Sequence, residues 1–302
     1  MLKRFEFGAS NCGVQRLILT LGSQMVATDS KARKFRIQPP LVDLNHIAPS
    51  EAELQALFEE KYRMSYGLGW GPKLRHRFGY YMPEDFYEAL VAKLVVENCS
   101  WVDVGCGRDI FPSNKKLAET LSKKASFVYG IDPDDNVQEN PFLTERFQGL
   151  VEDCQTQSVF DVITMRMVAE HIQTPQLAVG KLAELTAKGG IVIVFTPNKW
   201  SPMSLVAKAV PFKLHNPLKR LIWDSEARDT FPVAYKLNTR RELAKHFCEN
   251  GFRELFFAYL DDCTVTGGYP IANRVELVVR NMFCKVGVPY WENCLLAVFQ
   301  RK

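Results

Sequence analysis

The sequence predicts a doubly wound α/β fold, a mostly parallel sheet covered by helices on both faces. Short apolar runs alternate with amphipathic helical segments from residue 83 to residue 195. One of these runs, Ile191 to Phe195, is apolar at every position, as a strand buried on both faces must be. Two glycines, Gly105 and Gly107, follow the first run at the carboxyl rim, where such sheets bind their ligands.

Taken in order, Ser50 is a suitable N-cap for a helix over residues 51–62, whose Leu54, Leu57 and Phe58 share one face. Pro83 opens the next helix with Glu84 and Asp85 in its first turn, where acids meet the positive end of the helix dipole. Phe86, Leu90, Val91 and Leu94 form its apolar stripe. A buried strand is predicted at Ser100 to Val104, a helix at Ser113 to Lys124, and strands at Phe127 to Ile131, Phe147 to Val151 and Phe160 to Met165. A helix from Pro175 to Ala187, capped by Thr174 and stopped by Gly189-Gly190, leads into the strand Ile191 to Phe195.

After Pro197 the alternation lapses for about forty residues, too long for a simple connection. Thr239-Arg240-Arg241-Glu242 then reads as a capping box opening a helix that Gly251 ends. Strands at Arg253 to Leu260 and Asn293 to Gln300 close the chain. Residues 1–80 fall outside the pattern and are expected to form an N-terminal extension acting as a lid or arm. Their first forty carry seven Lys/Arg against two acids and end at Pro39-Pro40. Residues 81–302 hold the main domain, with a lid-like insertion at 200–238.

Composition excludes some classes. A net charge of +4 over 302 residues is far from the positive field that nucleic-acid binding demands, so no nucleic-acid partner is expected. The eight cysteines are scattered, without a CxxC pair or a Cys/His spacing suited to zinc, so reduced thiols and no metal are expected. No apolar run is long enough to span a bilayer and no cleavable leader is read, which leads to a cytoplasmic expectation.

The loop after the first strand reads Asp103-Val104-Gly105-Cys106-Gly107, and glycine there lets the backbone turn sharply and approach a ligand. Asp132 ends the next strand in Gly130-Ile131-Asp132-Pro133, the place from which a carboxylate accepts ribose hydroxyls. A dinucleotide fingerprint would need a small residue where Ile110 stands and a helix starting at once, which Pro112 delays, so nicotinamide and flavin are disfavoured.

The series DVGCG, GIDP, FDVITMRMVAEH and KGGIVIVFTPN, in this order over residues 101–198, resembles the motifs of class I S-adenosylmethionine-dependent methyltransferases. Asp229-Thr230-Phe231-Pro232, Tyr235 and Asn238-Thr239 are similar to a bacterial branch of that superfamily. The resemblance implies a Rossmann-like, mostly parallel seven-stranded sheet with an antiparallel last strand, and S-adenosyl-L-methionine as cofactor. It implies that Asp103 and the backbone of Gly105, Cys106 and Gly107 hold the methionine part, that Asp132 binds the ribose, and that Glu152 or Asp153 faces the adenine. Met165, at the end of the fourth strand, joins the same cofactor-binding set.

Methyl transfer from a sulfonium needs mainly alignment from the protein. If the acceptor is a hydroxyl, a base must take its proton, and His171 in Glu170-His171 follows the fourth strand where a substrate would lie. The alternative for His171 is a turn-capping role. Arg166 would anchor an acidic group or lie on the surface, Asn198 and Lys199 end the fifth strand at the same rim, and Tyr80-Tyr81 or Trp70 would either cover the cofactor or belong to the core. The segment from Trp200 to Trp223 joins many apolar residues to four basic ones and no acid, which suits core packing, a lid or a peripheral membrane contact. The expected acceptor is a small molecule, a glycan or a lipid-linked group, methylated at oxygen. The competing expectation is a scaffold that keeps the fold and cofactor without turnover.

Overall fold

The computed structural model describes residues 47–62, 70–202, 204–205, 233–264 and 266–302. The basic stretch 1–40, the segment 206–232 that makes up most of the predicted insertion, and the side chain of Trp70 lie outside the described residues. The described helices are α1 (Glu51–Tyr62), α2 (Trp70–Arg77), α3 (Pro83–Leu94), α4 (Lys115–Lys124), α5 (Pro175–Leu185), α6 (Arg240–Glu249) and α7 (Pro270–Lys285). The strands are β1 (Ser100–Val104), β2 (Phe127–Asp132), β3 (Glu145–Gln148), β4 (Phe160–Arg166), β5 (Thr186–Pro197), β6 (Phe252–Asp261) and β7 (Glu292–Arg301).

The seven strands form one sheet in the order β3-β2-β1-β4-β5-β7-β6. Neighbours from β3 to β5 pair in parallel, and β7 runs antiparallel to both β5 and β6. This is the mostly parallel sheet with an antiparallel last strand that the sequence predicts. Side chains alternate across it: Trp101, Val162, Ile193 and Phe195 pack with Leu90, Leu94 and Leu121 of α3 and α4 on one face. Val102, Ile163, Val192 and Val194 pack with Val179, Leu182, Leu243 and Phe247 of α5 and α6 on the other. Burial on both faces explains why the central strands are nearly all apolar.

Local chemistry sets the boundaries. Asn114 caps α4 by accepting from the Leu117 amide at 3.2 Å, so that helix starts after the predicted Ser113. Thr239 caps α6, with the Glu242 N–H donating to its Oγ1 at 3.1 Å. The third strand runs from Glu145 to Gln148 rather than over 147–151. Past Gln148 the Gly149 amide donates to the Asp132 carbonyl at 2.9 Å, and the chain enters a 3-10 turn, Val151–Asp153, so Val151 is buried from a turn and not from the sheet. The helix predicted to reach Ala187 stops at Leu185, where the Thr186 amide and hydroxyl both turn back to the Leu182 carbonyl. Gly189-Gly190 lie inside β5, and a Cβ on Gly190 would stand 3.0 Å from the carbonyl oxygens of Phe160 and Asp161. Glycine is there for close strand approach and does not stop the helix.

The N-terminal helices are tied to this core. Lys61 of α1 reaches Asp85 at 3.0 Å and Glu88 at 2.9 Å on α3, all three side chains being buried. Helices α2 and α7, which carry no sequence prediction, share a small core of Leu74, Phe78, Tyr80, Leu277 and Tyr290. The Tyr80 hydroxyl donates to the Asp261 carbonyl at 3.2 Å and accepts from the Cys263 amide at 2.8 Å. Arg280 of α7 pairs with the Asp261 carboxylate. Helix α7 is therefore mounted at the carboxyl end of β6, on the rim that holds the candidate site.

Candidate functional site

The carboxyl ends of β1, β2, β4 and β5 converge on one rim, and the loop after β1 is its centre. The Gly105 amide donates to the Ile131 carbonyl at 2.7 Å, which carries the β1–β2 pairing one residue into the loop. Gly105 and Gly107 then take φ values of +75° and +43°, conformations that disfavour a Cβ. A methyl on Gly105 would meet Val168 Cγ2 at 2.1 Å, whereas the space beside Gly107 is open to 4 Å. One side of the loop is thus packed and the other free for a ligand.

Asp132 faces this loop from the neighbouring strand. Its Oδ2 accepts from the Gly107 amide at 2.9 Å and its Oδ1 from the Asp134 amide at 2.8 Å. These two bonds hold the carboxylate against the loop, at the end of the strand next to the glycines. Asn140, which the sequence reading did not single out, donates from Nδ2 to the carbonyls of Cys106 and Gly107, each at 3.1 Å, and fixes the loop from behind. Its signal was Asn140-Pro141, a turn-forming pair just before β3.

Asp103 is fully enclosed. Its Oδ1 accepts from the Thr164 hydroxyl at 2.6 Å, and that hydroxyl in turn accepts from Trp101 Nε1 at 2.7 Å. Burial pushes the Asp103 carboxyl up to about 7, against the opposing pull of the Thr164 hydrogen bond and the Arg166 charge. Nearby, the Tyr87 hydroxyl is buried beside Thr164, its ring stacked on Phe195 at 5.2 Å. Thr164 and Tyr87 are polar intrusions into otherwise apolar segments, the one cue by which sequence reasoning finds them.

The end of β4 is strained. Met167 leaves the strand at φ +54°, a conformation that costs a non-glycine residue roughly 1–3 kcal/mol and clusters at functional sites. Arg166 lies 3.4 Å from Glu84 of α3. Glu170 is buried, accepts from the Thr196 hydroxyl at 2.9 Å, and has its carboxyl raised chiefly by desolvation. His171 is half-buried, with Nε2 at 4.0 Å from the Glu170 carboxylate. Asn238 closes the network by donating to Thr196 Oγ1 at 2.7 Å. Next to it, a groove lined by Asn198, Trp200, Ser201, Tyr259 and Tyr290 opens between the ends of β5 and β6. A larger concavity, lined by Val159, Lys188 and Lys302, opens at the opposite, amino-terminal edge of β4 and β5. The carboxyl rim is the better candidate, because doubly wound sheets bind ligands there.

The structure therefore brings together Asp103, Gly105, Gly107 and Asp132, with Glu170-His171 on the same rim. The Cys106 side chain is buried in the core, where a Cβ on Gly130 would stand 2.8 Å from its Sγ. Met165 is likewise buried, in the cluster shared with α5. Glu152 sits in the 3-10 turn past β3 and accepts from Thr174 at 3.1 Å, and Asp153 beside it is exposed. Tyr80 belongs to the small core under α7, and Tyr81 packs edge-on against Phe58 and Phe86.

A family described as a methyltransferase domain matches residues 73–255. Ubiquinone biosynthesis O-methyltransferase from Nitrobacter winogradskyi is 27% identical over 160 residues, covering 50% of this chain and 55% of the relative. The protein of the same name from Rhodopseudomonas palustris is 25% identical over 159 residues, covering 49% and 56%. The chain spans about half the length of the curated relatives it matches. Among solved structures, the YcgJ protein from Bacillus subtilis aligns with a TM-score of 0.42 at 20% identity, over 72% of this chain and 98% of that one. Magnesium protoporphyrin IX methyltransferase from Synechocystis, solved with bound S-adenosylhomocysteine, aligns with a TM-score of 0.45 at 15% identity, over 80% and 94%.

Proposed function

The chain belongs to this methyltransferase-domain family, within the class I S-adenosylmethionine-dependent superfamily, and on that premise we propose that it transfers a methyl group from S-adenosylmethionine to a hydroxyl of a small-molecule, glycan or lipid-linked acceptor. One observation carries the cofactor assignment: the positive-φ loop Gly105–Gly107 is hydrogen-bonded to Asp132, so a backbone cradle and a ribose-binding carboxylate stand side by side. The buried acid Asp103 beneath the loop fits the ammonium of a methionine group. The relatives named as O-methyltransferases support oxygen as the acceptor atom.

Bound at this rim, the cofactor supplies an electrophilic methyl group. Asp132 accepts the ribose hydroxyls, the loop backbone and Asp103 hold the methionine part, and Glu152 and Asp153 bound the adenine end next to β2. The acceptor enters by the groove at Asn198 and Tyr259, with its hydroxyl toward His171, which takes the proton while Glu170 stands behind the imidazole. Of the segment 200–238, Trp200, Ser201 and Pro202 line the acceptor groove, where a lid would stand.

Calorimetric titration with S-adenosylmethionine, S-adenosylhomocysteine and NAD tests the cofactor assignment. Binding of the first two and not of NAD is expected. Asp132→Ala should weaken both by about 1.5–3 kcal/mol, the value of a charged hydrogen bond. An unchanged affinity would remove Asp132 from the ribose site.

A further inference from the structure

Helix α7 is inside out. Three of its polar side chains face the protein: Asn273 donates to the Cys263 carbonyl at 2.7 Å, Arg280 pairs with Asp261 and lies over the Tyr80 ring, and Glu276 accepts from Thr266 and from the Tyr290 hydroxyl. Its apolar side chains face solvent. Ile271, Val275, Val278, Val279 and Met282 are all exposed, Ile271 at 82% and Met282 at 62%. At 3.6 residues per turn these positions fall in one stripe along the helix. Val286 at 73%, followed by Val288 and Trp291, carries the stripe past the helix end. Single exposed apolar residues are ordinary, but a continuous stripe over a helix whose Asn273, Glu276 and Arg280 are engaged inward marks a contact surface.

We propose that this face of α7 seats on an anionic lipid bilayer, the apolar stripe entering the interface while Arg274 and Lys285 meet the lipid phosphates. Charge decides between a bilayer and a second copy of this chain. Arg274 and Lys285 are the exposed charged residues of α7, and its one acid, Glu276, is turned inward. A second copy packed face to face would set cation against cation, with no exposed acid of α7 to answer them. An anionic surface complements the same pair. Trp291 and Tyr269, exposed beside the two ends of the helix, have the amphipathic rings that favour a headgroup level. None of the described helices is long and apolar enough to cross a membrane, so the contact is peripheral.

The position of α7 gives the contact a use. Tyr290, on which Trp291 stacks at 5.5 Å, lines the groove at the ends of β5 and β6. A bilayer under α7 therefore borders that groove, and an apolar acceptor would pass from lipid to site without crossing water. The lipid contact itself does not depend on the catalytic reading.

The test is co-sedimentation of the full chain with vesicles of phosphatidylcholine alone and of an equimolar mixture with phosphatidylglycerol. The wild type should sediment with the mixed vesicles and not with the neutral ones. Val275→Asp combined with Met282→Asp should lower the partitioning by on the order of tenfold or more, and so should Arg274→Glu combined with Lys285→Glu. Both changes lie on the exposed face, and unchanged S-adenosylhomocysteine binding shows that each variant is folded. If both variants sediment like the wild type, the bilayer is not held by α7. If the wild type fails to sediment and light scattering shows a dimer that Val275→Asp with Met282→Asp dissociates, the face joins two copies and the lipid proposal fails.

Discussion

Asp103→Asn should stabilise the protein, and the gain should grow with pH. Burial raises the Asp103 carboxyl to about 7 in the folded chain, from a reference value of 3.8. As pH rises from about 4 the unfolded chain gives up this proton first, so between about 4 and 7 the folded state binds more protons and stability falls with pH. Below this window the penalty vanishes, and above it the penalty is constant. Worked from those two values, it is roughly 2 kcal/mol at pH 5 and roughly 4 kcal/mol at pH 8. Asparagine keeps an oxygen to accept from Thr164 Oγ1 and has nothing to ionise. Urea denaturation of wild type and variant at a series of pH values isolates this group, because the other buried acids cancel in the difference. The stability gap should widen in favour of the variant by roughly 2–3 kcal/mol between pH 5 and pH 8. A gap that stays flat across that range would mean that Asp103 ionises like an exposed carboxylate and that its burial has been misread. With saturating S-adenosylmethionine the gap should narrow, since a cofactor ammonium beside Asp103 favours the ionised form.

Gly105→Ala should cost roughly 1–3 kcal/mol in urea denaturation through the clash with Val168; adding Val168→Ala should restore part of this loss but not the strain of a positive φ, and full recovery would show that the φ of Gly105 is not constrained. His171→Gln, assayed with any hydroxyl acceptor that the wild type turns over, should lower kcat by about a hundredfold or more while S-adenosylhomocysteine affinity stays unchanged. A variant with near wild-type turnover would remove the imidazole from proton transfer.

Most of the sheet was legible because its central strands had to be apolar on both faces. Ile191 to Phe195 and Ser100 to Val104 could hardly be read otherwise, and Gly105, Gly107 and Asp132 stand at strand ends where backbone geometry restricts the choice. What failed was local punctuation. Gly189-Gly190 look like a helix stop, and only the approach of the Phe160 and Asp161 carbonyls shows them to serve strand packing. Val151 looks like the end of a strand, yet its burial comes from a 3-10 turn that the amide of Gly149 starts by bonding back to Asp132. Helix α7 was missed for a different reason: its outward apolar and inward polar pattern is the reverse of a surface helix, and the small core it packs on includes Tyr80, far from it in sequence.

The partners of the site could not be read for the same reason. Asp103 is one acid among thirty-four acidic residues until the sheet register sets β1 beside β4 and Thr164 meets it. The cost of that arrangement points to what it is for. Asp103, Glu170 and Asp262 all have carboxyls raised chiefly by burial, and all three lie at the carboxyl ends of strands. A fold selected only for stability would replace such acids by amides, since burying an ionisable group without a full counter-charge is a net loss. Retaining them at the one rim where the backbone also opens into a cradle makes sense if a cation is delivered there. On the proposed function that cation is the cofactor, whose ammonium and sulfonium groups supply the positive charge that the described residues around Asp103 provide through Arg166 alone.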